Sequence, residues 1–251
     1  MIIVKTPDEL DRMRASGRIA ARVRDALAKA LTPGMTTAEL DGLARDLMAQ
    51  EGARSAFLGY RGFPGHICTS VNDVVVHGIP GAQRVRLGDL VSIDVGVIYD
   101  GFVGDTATTV LVGVSDQDVI RLVRVAEQAL AEGIAKAVPG GRLSDISNAI
   151  EQETVKAGFS IVRDFVGHGI GRSMHEDPQI PNYGPPGRGP KLKAGMTLAI
   201  EPMLNQGAAE VEVLADGWTV VTKDRKPSVH VEHTVAVLED GPEILTCTTM
   251  S

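Results

Sequence analysis

Apolar positions fall at helical spacing in four stretches of the chain and at strand spacing in most of the rest. In "TTAELDGLARDLMAQEG" the residues Leu40, Leu43, Ala44, Leu47 and Met48 form one stripe, which predicts an amphipathic helix closed near Gly52. Thr36 and Glu39 stand three apart at its start, the spacing of a capping box, and Thr6 and Glu9 repeat that spacing around Pro7 in "TPDEL". A third helix is predicted from Ser115 through Val119, Leu122, Val123, Ala126, Leu130 and Ile134, and a fourth after "PGGRLSDI", ending near Gly158. Between the second and third lies "LVSIDVGVIYDGFVGDTATTVLVG", rich in Val, Ile and Thr and broken by glycines, which predicts two strands. Asp94 interrupts the most apolar part of the first strand and Asp105 opens the second. An ionised carboxylate buried without a partner is very costly, so these two acids need a reason.

The pattern also repeats. "PGMTTAELDGLARDLMAQEGA" from Pro33 lies over "PGGRLSDISNAIEQETVKAGF" from Pro139 without a gap, and "GDLVSIDVG" from Gly88 lies over "GMTLAIEPM" from Gly195. This alignment sets Asp94 opposite Glu201. "DTATTVLVG" from Asp105 then lies over "EHTVAVLED" from Glu232. Each half therefore offers one carboxylate inside a strand and one at the start of a later strand. The reading is one domain over residues 1–251, made of halves at roughly 1–113 and 114–251 that bring four carboxylates to a shared axis.

Composition narrows the class. The chain has 251 residues, 43% of them hydrophobic, enough to bury a large core. Its 25 basic and 32 acidic residues leave a net charge of −7, with no basic run to bind nucleic acid. The start "MIIVKTPDELDRMR" lacks the apolar core of a signal peptide, and no apolar run reaches the roughly 18 residues of a membrane span. Cys68 and Cys247 are the only cysteines, which removes a disulfide framework and a thiolate zinc motif. A cytoplasmic protein is the expectation.

Converging carboxylates repel unless cations sit among them. Six histidines are available, two of them in "FVGHGIGRSMHEDP" and one in "VVVHGIP". Four carboxylates with one imidazole form a hard donor set suited to Mn²⁺, Fe²⁺, Co²⁺ or Zn²⁺. Five such donors are economically used by two ions about 3.5–4 Å apart, the arrangement of metal-assisted hydrolysis. No HExxH and no GxGxxG motif is present.

Taken together, "SVNDVVVHGIP", "DVGVIYDGFVGDTATT", "GHGIGRSMHEDPQI", "AIEPM" and "VEHTVAV" resemble the type I methionine aminopeptidases in their short bacterial form, within metallopeptidase family M24. The resemblance runs from the helix at Pro7 to about Ile244. It implies an α+β pita-bread fold, two pseudo-symmetric αβ halves around a curved, mostly antiparallel sheet. It implies two divalent ions (Co, Mn, Fe or Zn) on Asp94, Asp105, His168, Glu201 and Glu232, with Asp105 and Glu232 bridging. Asp94 would hold one ion and His168 with Glu201 the other, Glu201 also carrying the proton of the attacking water. His175 would hydrogen-bond the scissile carbonyl oxygen and His77 would sit near the substrate amine and leaving nitrogen.

The same resemblance places the methionine pocket at Tyr60, Phe63, Cys68, His77, Met174, His175 and Trp218, and a monovalent cation at Asn72, Val74 and Ser228. It implies removal of the initiator Met from nascent chains with a small second residue, at the ribosome and as a monomer. Two positions depart from the pattern: Met174 stands where relatives usually carry Phe, and His230 where they usually carry Gln. His66 and His233 read as structural. The alternatives are an Xaa-Pro aminopeptidase or dipeptidase of the same fold, a non-catalytic binding homologue, and a structural metal-binding module.

Overall fold

Both capping boxes form in the computed structural model, which describes residues 1–248. Thr6 N–H donates to Glu9 at 3.0 Å and Glu9 N–H donates back to Thr6 Oγ1 at 3.3 Å, opening α1 (Pro7–Ala30). Thr36 and Glu39 do the same for α2 (Thr37–Gln50), and Gly52, at φ 68°, closes it in the left-handed region that glycine adopts without strain. The third helix, α3 (Gln117–Ala135), starts later than its pattern predicts. Asp116, not Ser115, is the cap, because its carboxylate accepts from both Asp118 and Val119 N–H. α4 spans Leu143–Lys156.

The strands in chain order are β1 (Arg54–Ser55), β2 (Cys68–Val71), β3 (Val74–Val76), β4 (Leu90–Tyr99), β5 (Phe102–Leu111), β6 (Ser160–Ile161), β7 (Gly167–Gly169) and β8 (Glu176–Ile180). They continue with β9 (Thr197–Ile200), β10 (Met203–Asn205), β11 (Val211–Val213), β12 (Val220–Thr222), β13 (Ser228–His230), β14 (Glu232–Leu238) and β15 (Gly241–Ile244). Nine form the main sheet, ordered β1-β4-β5-β14-β9-β7-β8 with β2 beside β4 and β15 beside β14, and every pairing in it is antiparallel. The α+β pita-bread expectation holds.

Helices cover one face. Ile19, Val23 and Leu27 of α1 and Leu40, Ala44 and Met48 of α2 pack on Val91, Ile93, Val95 and Val97, the odd-numbered side of β4. Leu122, Leu130 and Ile134 of α3 and Ile146 and Ile150 of α4 pack on Leu198, Ile200, Val235 and Val237 in the other half. α1 lies directly on β5 because Gly104 leaves no side chain there; a Cβ would stand 2.7 Å from the backbone of Ser16 and Gly17.

The halves meet where β5 pairs with β14. Glu232 stands opposite Ala107, two residues beyond Asp105, and Thr234, two beyond Glu232, flanks Asp105 through hydrogen bonds to its N–H and C=O. The pairing is therefore symmetric about a local two-fold axis between the matched acids. Two details differ from the sequence reading. Asp105 lies inside β5 and does not open it. Glu201 falls just past β9, because Pro202 has no N–H for the ladder and the chain then crosses to β10 in another sheet. The ladder sets Ala199, not Glu201, where Asp94 stands in the first half: Ala199 faces Thr234 as Asp94 faces Ala107. A slip of two residues keeps the same face of the sheet.

Candidate metal centre and substrate pocket

Register alone gathers most of the site. Side chains directly opposite one another in a ladder share a face, so Cys68, Asp94, Ala107 and Glu232 form one row across β2, β4, β5 and β14. The neighbouring row crosses five strands as Gly96, Asp105, Thr234, Ala199 and His168. The residues between the donors are small, so nothing fills the space above Asp94, Asp105, Glu232 and His168. Donor atoms of Asp105, His168 and Glu232 all lie within 4.8 Å of one another. Glu201 joins from the end of β9, its Oε1 3.5 Å from His168 Nε2. All five line one cavity.

The electrostatics call for cations. Asp94 Oδ1, Asp105 Oδ1 and Glu232 Oε1 are buried with no hydrogen-bond partner, a costly condition for acceptors that carry charge. Burial, with repulsion from Asp105, holds the carboxyls of Asp94, Glu201 and Glu232 far above the ordinary range. Burial raises Asp105 to about 7. Among the described residues, Arg24 alone is a cation acting to keep Glu232 ionised, from behind the sheet. Burial pushes His168 down to about 3, so its imidazole is neutral and able to ligate. His168 Nδ1 lies 2.9 Å from the Gly169 carbonyl; a proton donated there leaves the Nε2 lone pair facing the carboxylates. Hard oxygens, a neutral imidazole and unsatisfied buried acceptors fit divalent first-row ions. Cys68 does not alter that preference, since burial and Asp94 push its thiol up and keep it protonated.

The rest of the cavity wall is apolar: Phe57, Tyr60, Phe63, Met174 and Trp218, with His77 and His175 at its polar margin. At about 70 Å³, against the 10–15 Å³ required per water, it has room for several waters or one unbranched side chain. Trp218 meets Phe63 edge-on at 5.1 Å and His77 at 6.0 Å. His77 is held at φ 59°, rare for a residue with a Cβ and the kind of strain that collects at working sites. His175 lies with its Nδ1 2.8 Å from Tyr60 Oη and its ring stacked on that of Tyr60. Met174 and Phe57 both reach the space above Gly96, where a Cβ would stand 2.9 Å and 2.4 Å from them. Phe57 escaped the sequence reading, since no motif or periodicity marks a loop aromatic.

Asn72 and Ser228 are adjacent, with Ser228 N–H donating to the Asn72 carbonyl at 2.9 Å. Their side chains are already engaged: Asn72 with Asp89 and Leu90 N–H, Ser228 with Asn205. His66 Nδ1 lies 2.9 Å from Asp41 Oδ2 and His233 Nδ1 2.8 Å from Thr246 Oγ1. His230 is different. Its Nε2 is buried without a partner, 3.7 Å from Glu201 Oε2.

Comparison with known proteins agrees with this geometry. The profile of metallopeptidase family M24 matches residues 11–239. The chain is 52% identical to the methionine aminopeptidase of Clostridium perfringens over 98% of its length and 99% of that protein. It is 51% identical to methionine aminopeptidase 1 of Bacillus subtilis, again over 98% of this chain and 99% of that one. The crystal structure of methionine aminopeptidase from Rickettsia prowazekii superposes with a TM-score of 0.97 at 43% identity, covering 98% of this chain and 100% of that chain.

Proposed function

The chain belongs to metallopeptidase family M24 and is a hydrolase of the aminopeptidase class, and from that premise we propose that it removes N-terminal methionine from polypeptides whose second residue is small. The observation that carries the reading is a buried wall of four carboxylates and an imidazole beside a small apolar recess. Two divalent ions would be held by Asp94, Asp105, His168, Glu201 and Glu232. Such ions, when bound, supply Lewis acidity toward the scissile carbonyl and the attacking water.

The chain's own residues account for the rest. Glu201, at the cavity edge, accepts the proton from the attacking water and passes it to the departing amine. With Tyr60 O–H donating to His175 Nδ1, the His175 proton sits on Nε2 and can be donated to the carbonyl oxygen as charge develops there. Burial lowers the pKa of His175, so this donor is the neutral imidazole at pH 7. His77, neutral because burial and His175 lower it to about 4, borders the recess where the substrate amine and leaving nitrogen would lie. An unbranched thioether suits the recess formed by Phe57, Tyr60, Phe63, Met174 and Trp218.

The substrate we assign is the nascent chain emerging at the ribosome, met by a cytoplasmic monomer. Among the described residues no helix is long and apolar enough to cross a membrane. A monovalent cation at Asn72, Val74 and Ser228 would rely on backbone carbonyls, given the engaged side chains.

The test uses metal-stripped protein reloaded with Mn²⁺, Fe²⁺, Co²⁺ or Zn²⁺ and offered Met-Ala-Ser, Met-Lys-Ser, Leu-Ala-Ser and Ala-Pro-Ala. Release of Met from Met-Ala-Ser alone is the expected result. Cleavage of Ala-Pro-Ala would move the protein to the prolyl branch of the fold, and inactivity with every metal would support a binding homologue.

A further inference from the structure

One cation beside the recess takes no part in the chemistry above. Tyr60–Gly62 form a single 3₁₀ turn with a closely bonded backbone. Gly59 N–H donates to the Phe63 carbonyl at 2.8 Å, Tyr60 N–H to Phe57 at 2.8 Å, and Phe63 N–H back to Tyr60 at 2.9 Å. The turn holds Arg61 at φ 49°, between Gly59 at 80° and Gly62 at 88°. Glycine adopts that region freely, whereas a residue with a Cβ is strained there. An arginine thus stands where the backbone favours glycine, a local conflict of the kind that collects at functional positions.

Arg61 does not line the recess; it stands outside it. Of the lining residues Phe63 and Cys68 are buried, Tyr60 is half-buried and His175 is exposed, so Tyr60 and His175 mark the solvent side. The exposed Arg61 guanidinium lies 5.4 Å from the centre of the Tyr60 ring, and that ring stacks on His175 at 5.4 Å. Among the described residues no carboxylate pairs with Arg61. Its charge is felt at His175, whose pKa is lowered by burial first and by Arg61 second.

With the first substrate residue in the recess and its carbonyl at His175, the second and third residues lie outside the mouth. An extended chain advances about 3.3–3.6 Å per residue. A carboxylate on the third residue therefore comes level with a guanidinium two 5.4 Å steps from His175. Resting on the aminopeptidase reading proposed above, we infer that Arg61 is a specificity-determining residue that receives a negative charge on the third residue of the substrate. The substrates favoured by this chain are then peptides that begin with Met, a small residue and Asp or Glu. The third residue is remote from the bond that breaks, so the contact is equally present before and during reaction. It lowers KM and leaves kcat unchanged.

The experiment compares metal-loaded wild type, Arg61→Gln and Arg61→Lys on Met-Ala-Glu-amide, Met-Ala-Gln-amide and Met-Ala-Lys-amide, with kcat and KM measured at low and at 300 mM salt. In wild type the Glu peptide should have a KM about 2–5-fold below that of the Gln peptide, the range of an exposed ion pair, and the Lys peptide the highest. The ratio should approach 1 in Arg61→Gln, return in part in Arg61→Lys, and narrow at 300 mM salt. Each ratio is taken within one protein, so any effect of the substitution on His175 cancels. Equal KM values in wild type, or a ratio unchanged in Arg61→Gln, would overturn the inference while leaving the aminopeptidase reading intact. No release of Met from any of the three peptides would overturn that reading itself. Should Arg61→Gln fail to fold, the wild-type ratio and its salt dependence decide alone.

Discussion

Stripping the metal and raising the pH from 7 to 8 perturbs a cluster of carboxyls whose protonation differs strongly between folded and unfolded chain. Asp94, Glu201 and Glu232 have folded pKa values far above their ordinary range, through burial and mutual repulsion. A raised pKa contributes stability that is complete below the unfolded value and is lost as pH climbs toward the folded one. At pH 7–8 the unfolded chain has released these protons, and each one that the metal-free folded chain retains makes stability fall as pH rises. Stability then falls by about 1.4 kcal/mol per pH unit for each proton so retained.

The window isolates the carboxyls. The histidines move the other way, with burial lowering His77 to about 4, His168 and His230 to about 3 and His233 to about 4. Their stabilising contribution is present above the unfolded value of about 6.5 and lost below it, so between pH 7 and 8 each adds only about 0.1 kcal/mol, in the opposite direction to the carboxyls. The assay is urea unfolding of metal-free and Zn²⁺-loaded protein at both pH values. Metal-free protein should weaken over this unit while loaded protein does not, because cations have displaced the protons. Titration of Zn²⁺ into metal-free protein at pH 7.5, in two buffers of different ionisation enthalpy, should show at least one proton released. Metal-free stability that is level or rising from pH 7 to 8, with no proton release, would refute the electrostatic account of the site.

Glu232→Ala should abolish Met-Ala-Ser cleavage and reduce bound metal below two per chain; near-normal activity would take Glu232 out of the centre. His175→Ala should lower kcat about 10²–10³-fold with metal content unchanged, and loss of metal would instead make His175 a ligand. Lys5 and Glu176 form an ion pair at 2.6 Å with side chains only 3% and 7% exposed, and Glu176 also accepts Ser173 N–H, bracing the loop that carries Met174 and His175. Lys5→Met should cost about 3–5 kcal/mol in chemical unfolding by stranding a buried carboxylate, and adding Glu176→Gln should restore much of it; a single variant as stable as wild type would refute the pair's importance. Gly104→Ala should also destabilise, since its Cβ would meet helix backbone at 2.7 Å, and the midpoint of urea unfolding reports it.

Much of the site was legible along the chain because its physical demands are local. A capping box needs two residues three apart, so Thr6 with Glu9 and Thr36 with Glu39 announced their helices, and the structure forms both. A carboxylate inside a Val- and Ile-rich run is anomalous wherever it occurs, so Asp94 pointed to a charge partner before any fold was known. The repeat added Glu232 in the same ladder register as Asp105, and Glu201 on the right face though two residues out of ladder step.

What the chain alone does not carry is which distant atoms end up within reach, since that depends on strand pairing and on loops closing over a packed sheet. The order of β2, β4, β5, β14, β9 and β7 decides that His168 and Glu232 stand within 4.8 Å of Asp105. Pro202 ends a strand that hydrophobic pattern would extend, moving Glu201 to the cavity edge. Phe57 enters the recess, Lys5 finds Glu176 at a separation of 171 residues, and His230 turns an unpartnered nitrogen toward Glu201. Helix caps and buried-acid anomalies are properties of neighbours in sequence and so are determined there. Donor spacing and cavity shape are properties of neighbours in space, and tertiary packing decided them.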